Sequence, residues 1–171
     1  MLTYGVFLAV VTQMVSGMLL ALHYTSDINH SYYSVMHIVD EVLFGWCLRY
    51  MHSSGASSVF GTMYVHIGRG LHVSSYVYNN NLWLSGLLGL VFLMAIAFLG
   101  YVLTWGQMSF WGGTVITNLL CSVPGLLEWM CGGFYVSNPT LKRFFVFHFL
   151  GPVILCALAI IHLYFLHYAS S

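Results

Sequence analysis

Three long apolar runs, at about residues 2–22, 82–103 and 141–168, constrain the fold of this chain more than any other feature. Each is long enough for an α-helix to cross the hydrocarbon core of a bilayer, which takes about 20 residues. Charged residues make up only 5% of the chain and the formal net charge is zero, whereas soluble domains have about 25% charged residues. We therefore predict an all-α integral membrane protein, without the basic surface that nucleic-acid binding requires.

A fourth span is predicted at about residues 43–76, although this stretch contains arginines, histidines and several serines. It lacks proline and its apolar residues recur at helical spacing, which indicates a helix with a polar inner face. The four spans, A to D in chain order, predict a four-helix bundle that forms a single domain over residues 1–171. Residues 104–140, between spans C and D, are rich in Trp but broken by Gly and Pro124, which favours short amphipathic helices at the membrane interface.

Four of the nine histidines form two pairs with the same spacing. His52 and His66 on span B are 14 residues apart, and so are His148 and His162 on span D. On a helix this spacing leaves two side chains about 40° apart in azimuth and about 21 Å apart along the axis. Spans B and D run parallel because one span separates them, so His52 lies level with His148 and His66 with His162. The sequence predicts two stacked bis-histidine sites in the core of the bundle.

Glycines on the neighbouring spans fit a flat group bound between the histidines. Gly17 lies on span A, and Gly86 and Gly100 lie on span C, again 14 residues apart. A residue without a side chain lets a planar macrocycle approach the backbone closely. Glycine in membrane helices also serves ordinary helix packing, so these positions alone do not decide between the two interpretations.

Two arginines accompany the histidine pair of span B. Arg49 lies one turn before His52, and Arg69 lies one turn after His66. A buried arginine needs an anion, and spans B to D have no spare carboxylate. The propionates of haem would supply these anions. His167, at the end of span D, is either an interfacial side chain or a proton-exchanging quinone ligand, since histidine titrates near neutral pH.

Several stretches of the chain are similar to one protein family. They are QMVSGMLLALHYTSD (13–27), GWCLRYMHSSGAS (45–57), MYVHIGRGLHVSSY (63–76), GYVLTWGQMSFWGGTVITNLL (100–120), EWMCGGFYV (128–136) and LKRFFVFHFLGPVILCALAIIHLYFLH (141–167). On these motifs the chain resembles the N-terminal, haem-binding half of the cytochrome b family of quinol–cytochrome c oxidoreductase complexes. The spacing of 14 in the second histidine pair favours the mitochondrial or bacterial type over the plastid type.

The resemblance implies two non-covalent b haems, one towards each leaflet. His52 and His148 would be the axial ligands near the quinol-oxidation site, and His66 and His162 those near the quinone-reduction site. Arg49 would bind the propionates of the first haem and Arg69 those of the second.

The resemblance also implies two sites for ubiquinol and ubiquinone. His167 would contact quinone at the reduction site. The segment WGQMSFWGGTVI would line the oxidation site, where the candidate residues are Phe98, Tyr101, Gly112, Val115 and Ile116. Thr104 stands where the family usually has a proline before Trp-Gly-Gln.

As a function, the resemblance implies transmembrane electron transfer coupled to proton translocation, in a subunit of quinol–cytochrome c reductase. The expected partners are the C-terminal half of cytochrome b, a Rieske iron–sulfur protein, cytochrome c1, further subunits of a dimeric complex, and lipid. The expected location is the mitochondrial inner membrane or a bacterial plasma membrane. The family's second half, with its Pro-Glu-Trp-Tyr motif, lies outside this sequence.

Two other functions compete with this interpretation. The chain could be the di-haem membrane anchor of another quinone-linked dehydrogenase, although such an anchor has no reason to contain TWGQMSFWGG. It could also be a haem-free transporter or assembly subunit that uses its histidines for protons or metal ions. An optical spectrum separates that alternative from a haem protein.

Overall fold

The computed structural model describes the backbone of residues 2–169 and the side chains of residues 4–168, and this part of the chain is helical without β-strands. The helices are α1 (Leu2–Ala21), α2 (Ser31–Asp40), α3 (Gly45–His72), α4 (Ser75–Tyr78), α5 (Asn80–Leu103), α6 (Gln107–Asn118), α7 (Leu126–Cys131) and α8 (Asn138–Ala169). A short 3-10 turn, Leu119–Ser122, follows α6. The prediction of an all-α fold is confirmed.

Three helices are long and apolar enough to cross a membrane: Tyr4–Ala21 in α1, Asn80–Leu103 as α5 and Asn138–Tyr168 in α8. Their length and composition are those of membrane-spanning helices. At 28 residues α3 is also long enough to cross a bilayer, but its arginines, histidines and serines lower its hydropathy. Its place as a fourth span therefore remains a prediction.

Local chemistry explains where the helices begin and end. Predicted span B divides into α3 and the short α4, because Ser74 between them takes a left-handed φ of 55°. The Asn79 side-chain oxygen accepts the Leu82 N–H at 3.0 Å, which caps the start of α5. The Asn79 amide also donates to the Phe165 carbonyl at 2.9 Å and so ties this start to α8. Helix α2, in the connection between spans A and B, was not predicted.

The long helices pack as two pairs, α1 along α3 and α5 along α8. A buried cluster of Val102, Leu103, Leu141 and Phe144 joins the end of α5 to the start of α8. Tyr24 follows α1 and donates its hydroxyl to the Leu103 carbonyl at 2.7 Å, which links the first pair to the second. Burial raises the pKa of Tyr24 well above its ordinary value, so this donor stays protonated.

Candidate bis-histidine centres

The structure places the four histidines opposite one another in two pairs. The ring centroids of His52 on α3 and His148 on α8 are 6.2 Å apart, and those of His66 and His162 are 6.3 Å apart. A metal–imidazole bond is about 2 Å long, and the ring centre lies about 1 Å beyond the nitrogen. One metal ion between two such rings therefore separates the centroids by about 6 Å. Both gaps match this value.

The outer nitrogens of three of these rings have hydrogen-bond partners. His148 Nδ1 lies 2.8 Å from the Ile96 carbonyl, which can only accept, so this nitrogen donates. His52 Nδ1 lies 2.9 Å from Ser16 Oγ and His162 Nδ1 lies 2.9 Å from Ser85 Oγ.

The serine hydroxyls decide the tautomers of the other two rings. Ser16 donates its own proton to the Thr12 carbonyl at 2.7 Å, and Ser85 donates to the Leu82 carbonyl at 2.9 Å. Each serine oxygen therefore accepts the Nδ1–H of its histidine. In all three rings the lone pair lies on Nε2, which is the form that binds a metal, and the partner at Nδ1 fixes the ring.

The three candidate glycines lie against the imidazole rings. A Cβ at Gly17 would lie 2.9 Å from His52 Cε1, and a Cβ at Gly86 would lie 3.0 Å from His162 Cε1. A Cβ at Gly100 would overlap the His148 ring. In this structure each of these glycines leaves room for a histidine ring between paired helices, and their contact with a planar macrocycle stays a prediction.

The two arginines differ in their surroundings. Arg49 is half-buried and within electrostatic range of His52, whereas Arg69 is exposed and within range of His66. The argument that a buried arginine needs an anion therefore applies to Arg49 only. Within residues 4–168, the ion pairs recorded are His30–Asp27 and His37–Glu41, so neither arginine has a carboxylate partner in that range.

The sequence analysis missed Gln13, Ser16 and Ser85. The Gln13 amide nitrogen is buried without a hydrogen-bond partner in the described part of the chain, and it faces Gly55 on α3. A buried donor of this kind is costly unless another group accepts from it. Both serines stand in a Ser-Gly dipeptide, at 16–17 and 85–86, but the same dipeptide also occurs at 54–55, so it does not single them out.

The candidate quinone residues are only partly brought together. Tyr101 contacts Gly112, where a Cβ would lie 3.9 Å from the tyrosine Cε1. Val115 and Ile116 are exposed on α6, and Phe98 packs inward on Phe144 with ring centroids 6.0 Å apart. His167 is exposed at the far end of α8.

Within the described side chains, no group of three or more His, Cys, Asp or Glu residues could hold a metal ion. A metal between two opposed imidazoles would therefore take its other ligands from a planar organic group, as haem iron does. Helical membrane proteins with opposed imidazole pairs are typical of b-type cytochromes, and the fold and these centres have the features of that class.

Comparisons with known proteins agree with this class. The family model described as cytochrome b/b6/petB matches residues 2–170. The cytochromes b of Plasmodium vivax (strain Salvador I) and Plasmodium falciparum are each 51% identical over 170 residues, which is 98% of this chain. A solved structure, "Hyperthermophilic respiratory Complex III", matches with a TM-score of 0.88 at 32% identity over 98% of the chain. The chain belongs to the cytochrome b family, and this membership implies haem b.

The chain spans less than half the length of these relatives. It covers 44% of the Plasmodium vivax protein, 45% of the Plasmodium falciparum protein and 47% of the matched chain in the solved structure. The activity, substrates and partners of a full-length cytochrome b are therefore proposals for this chain.

Proposed function

We propose that this chain is the haem-binding half of a respiratory cytochrome b and carries electrons across a membrane between a quinol-oxidation site and a quinone-reduction site. The observation that carries the proposal is the pair of imidazole gaps, 6.2 and 6.3 Å between centroids, with Nδ1 hydrogen-bonded in three of the four rings. When bound, haem b supplies one-electron redox chemistry that no side chain of this protein provides.

The residues present fit two b haems. His52 and His148 would hold one iron, and His66 and His162 the other, with Nδ1 partners that keep the rings oriented. The buried Gln13 amide nitrogen has no hydrogen-bond partner in the described part of the chain, so it supports a cofactor near His52 that would accept a hydrogen bond from it.

The arginines and glycines have supporting roles in this proposal. Arg49 and Arg69 would pair with propionates and favour the reduced state, because the added electron lies near a fixed positive charge. Gly17, Gly86 and Gly100 would keep the histidine rings in position by leaving them space.

The same proposal places the two quinone sites at opposite ends of the bundle. Tyr101, Gly112, Val115 and Ile116 would line the ubiquinol-oxidation site together with Phe98, and the contact between Tyr101 and Gly112 supports this grouping. His167 would bind ubiquinone at the far end of α8, where an exposed imidazole can exchange protons.

We further propose that residues 1–171 act as one domain within a larger complex. The partners would be the second half of cytochrome b, a Rieske iron–sulfur protein, cytochrome c1, other subunits and lipid, assembled as a dimer. The membrane would be the mitochondrial inner membrane, or a bacterial plasma membrane. The Plasmodium relatives and the respiratory complex III match support this assignment.

The test is a reduced-minus-oxidised optical spectrum of the purified complex, before and after one substitution. His66→Ala should abolish one b-type α band and keep the other, because only one iron loses a ligand. His37→Ala is the matched control, since this exposed histidine pairs with Glu41 outside both centres. Absence of any b-type band in the unmodified complex overturns the proposal, and retention of both bands in His66→Ala overturns the ligand assignment.

A further inference from the structure

Two hydroxyls and one carbonyl meet where α5 passes into α6. Thr104 Oγ1 lies 2.5 Å from Ser109 Oγ, and both oxygens contact the Tyr101 carbonyl, at 3.1 and 3.0 Å. Each hydroxyl has one proton and the carbonyl oxygen accepts two hydrogen bonds. Two hydroxyl protons are therefore shared among three oxygen–oxygen contacts. We call Tyr101, Thr104 and Ser109 the hydroxyl junction.

The hydroxyl junction replaces the backbone bonds that the end of a helix lacks. The last four carbonyls of a helix have no partner within it, and Tyr101 lies in the last turn of α5. The chain then turns through Trp105, whose left-handed φ of 51° prevents the helix from continuing. The hydroxyls satisfy the Tyr101 carbonyl from beyond this turn and join the start of α6 to α5.

The hydroxyl junction adjoins a close contact between α5 and α6. Ser109, Gly113 and Thr117 form the buried face of α6, and Ser109 is 3% exposed. A Cβ at Gly113 would lie 3.3 Å from Val102 Cγ1, so the helices have little room to slide. Gly112, one position before Gly113 on α6, lies against the Tyr101 ring, which is 48% exposed.

We infer that Thr104 is a positioning residue for the quinol-oxidation site, through a hydroxyl that fixes α6 against Tyr101. The inference rests on the proposed function, because Tyr101 and Gly112 matter in this way only if quinol binds there. In this role Thr104 acts through α6 rather than through a contact of its own with quinol. Without the Thr104 hydroxyl, Ser109 keeps its hydrogen bond to the Tyr101 carbonyl but loses its contact with Thr104. One polar contact fewer then joins α6 to α5, so α6 gains freedom and the contact between Tyr101 and Gly112 loosens.

The test compares three variants in the assembled complex, with a short-chain ubiquinol analogue and cytochrome c as substrates. Thr104→Val removes the hydroxyl at nearly constant shape and should raise the KM for ubiquinol about threefold to tenfold, with kcat changed less. Thr104→Ser restores the hydroxyl and should restore the KM. Ser122→Ala is the control, because Ser122 makes an ordinary hydrogen bond to the Leu119 carbonyl on an exposed turn outside the junction.

The outcomes separate this inference from the proposed function. An unmodified complex without b-type bands or quinol oxidation overturns the proposed function itself. An active complex in which Thr104→Val has the unmodified KM, or in which Thr104→Ser is equally impaired, overturns the inference alone. If the Thr104→Val complex loses its haem spectrum, the KM for ubiquinol is measured in Ser109→Ala instead, because this variant removes the other hydroxyl. A raised KM supports the inference and an unchanged KM overturns it.

Discussion

At the scale of single residues, the hydroxyls of Ser16 and Ser85 form a matched pair of partners. Each accepts a hydrogen bond from the outer nitrogen of one histidine, and the two histidines belong to different pairs. A partner at the outer nitrogen raises the basicity of the ligand and fixes its orientation. The two serines therefore allow each centre to be altered without touching the other.

Substitution of Ser16 by Ala should change one centre only. The His52 ring loses its acceptor, so it becomes a weaker electron donor and the potential of the haem at the His52–His148 centre should rise. Cofactor affinity there should fall about tenfold or more. Potentiometric titration of the two α bands measures both effects. Ser85→Ala is the reciprocal control, and equal shifts in both bands with either variant would contradict the assignment.

Glycine positions on α5 offer a second matched comparison. Gly100→Ala places a methyl group where the His148 ring lies, whereas the corresponding position at Gly89 faces open space. Overpacking of this kind typically costs about 1–3 kcal/mol. We expect Gly100→Ala to lose the haem of the His52–His148 centre and Gly89→Ala to retain both haems. A haem assay on the purified complexes checks this, and loss from both variants would show a general effect on α5.

At the scale of helices, side chains from α8 hold α7 in place. Buried Thr140 donates its hydroxyl to the Cys131 carbonyl at 2.7 Å, and Arg143 donates to the Met130 carbonyl at 3.4 Å. The Arg143 guanidinium also lies 5.8 Å from the centre of the Trp129 ring. These contacts satisfy the carbonyls at the end of a helix of six residues, which could not be stable alone.

Thr140→Val should therefore loosen α7 locally. The substitution leaves the Cys131 carbonyl buried without a partner, which costs about 1–3 kcal/mol. Hydrogen exchange over residues 126–136 should accelerate, while exchange in α1 and α3 stays unchanged. Ser122→Ala is a suitable control because its hydrogen bond lies on an exposed turn. Unchanged exchange over 126–136 in Thr140→Val would contradict this role.

Asp27 links the loop after α1 to the start of α8 in a pH-dependent way. Its carboxylate accepts from the Asn29 backbone N–H, the His30 ring and the Asn138 amide, and these bonds lower the pKa of Asp27. A lowered folded-state pKa gives stability that is present above the unfolded value, about 3.9, and is lost as the pH falls through the folded value.

Asp27→Asn should consequently lower the thermal stability of the complex slightly near neutral pH. The difference in stability between the two proteins should begin to narrow below about pH 4, the unfolded-state value, and should vanish only once the pH falls below the lowered folded-state pKa of Asp27. Thermal melts followed by circular dichroism at several pH values would measure this difference in thermal stability. Since the Asp27 side chain is partly open to solvent, added salt should reduce this difference in stability. A gap of constant size at every pH would contradict the mechanism.

Helical periodicity explains which parts of the site could be predicted from the sequence. A spacing of 14 fixes both the face and the height of a side chain on any straight helix, so opposed histidines follow from counting residues. The serines could not be found this way, because their partners lie 36 and 77 residues away in the chain. Such contacts depend on how α1 meets α3 and how α5 meets α8.

Helix boundaries, too, were predictable only where the local sequence sets them and not where tertiary packing does. Apolar runs predicted α1, α5 and α8 because the bilayer demands uninterrupted hydropathy. Helix α2 was missed because its sequence, SYYSVMHIVD, is polar enough to read as a loop and is held by its packing on α3. The break at Ser74 between α3 and α4 was not predicted, because neither Gly nor Pro occurs in residues 71–78 to mark it.

At the scale of the whole molecule, large apolar side chains remain exposed along the membrane helices. Phe7 and Leu8 on α1, Val91 on α5 and Ile160 on α8 are examples, each more than half exposed. Lipid or further helices would cover them. Mass spectrometry of the purified complex should therefore detect the second half of cytochrome b with its Pro-Glu-Trp-Tyr motif, on a separate chain or joined to this one. A complex with both haems but without that half would contradict the proposed assembly.

The two histidine pairs differ in how many of their outer nitrogens, Nδ1, have a hydrogen-bond acceptor. Both rings of the His52–His148 pair have an acceptor, whereas in the described part of the chain only His162 of the other pair has one. Two identical cofactors bound there would differ in electron affinity, with the weaker affinity beside Ser16. That difference would bias where a shared electron resides, and the bias would come from a hydroxyl and a carbonyl of the protein acting against the nearby Arg49 charge, rather than from the porphyrins.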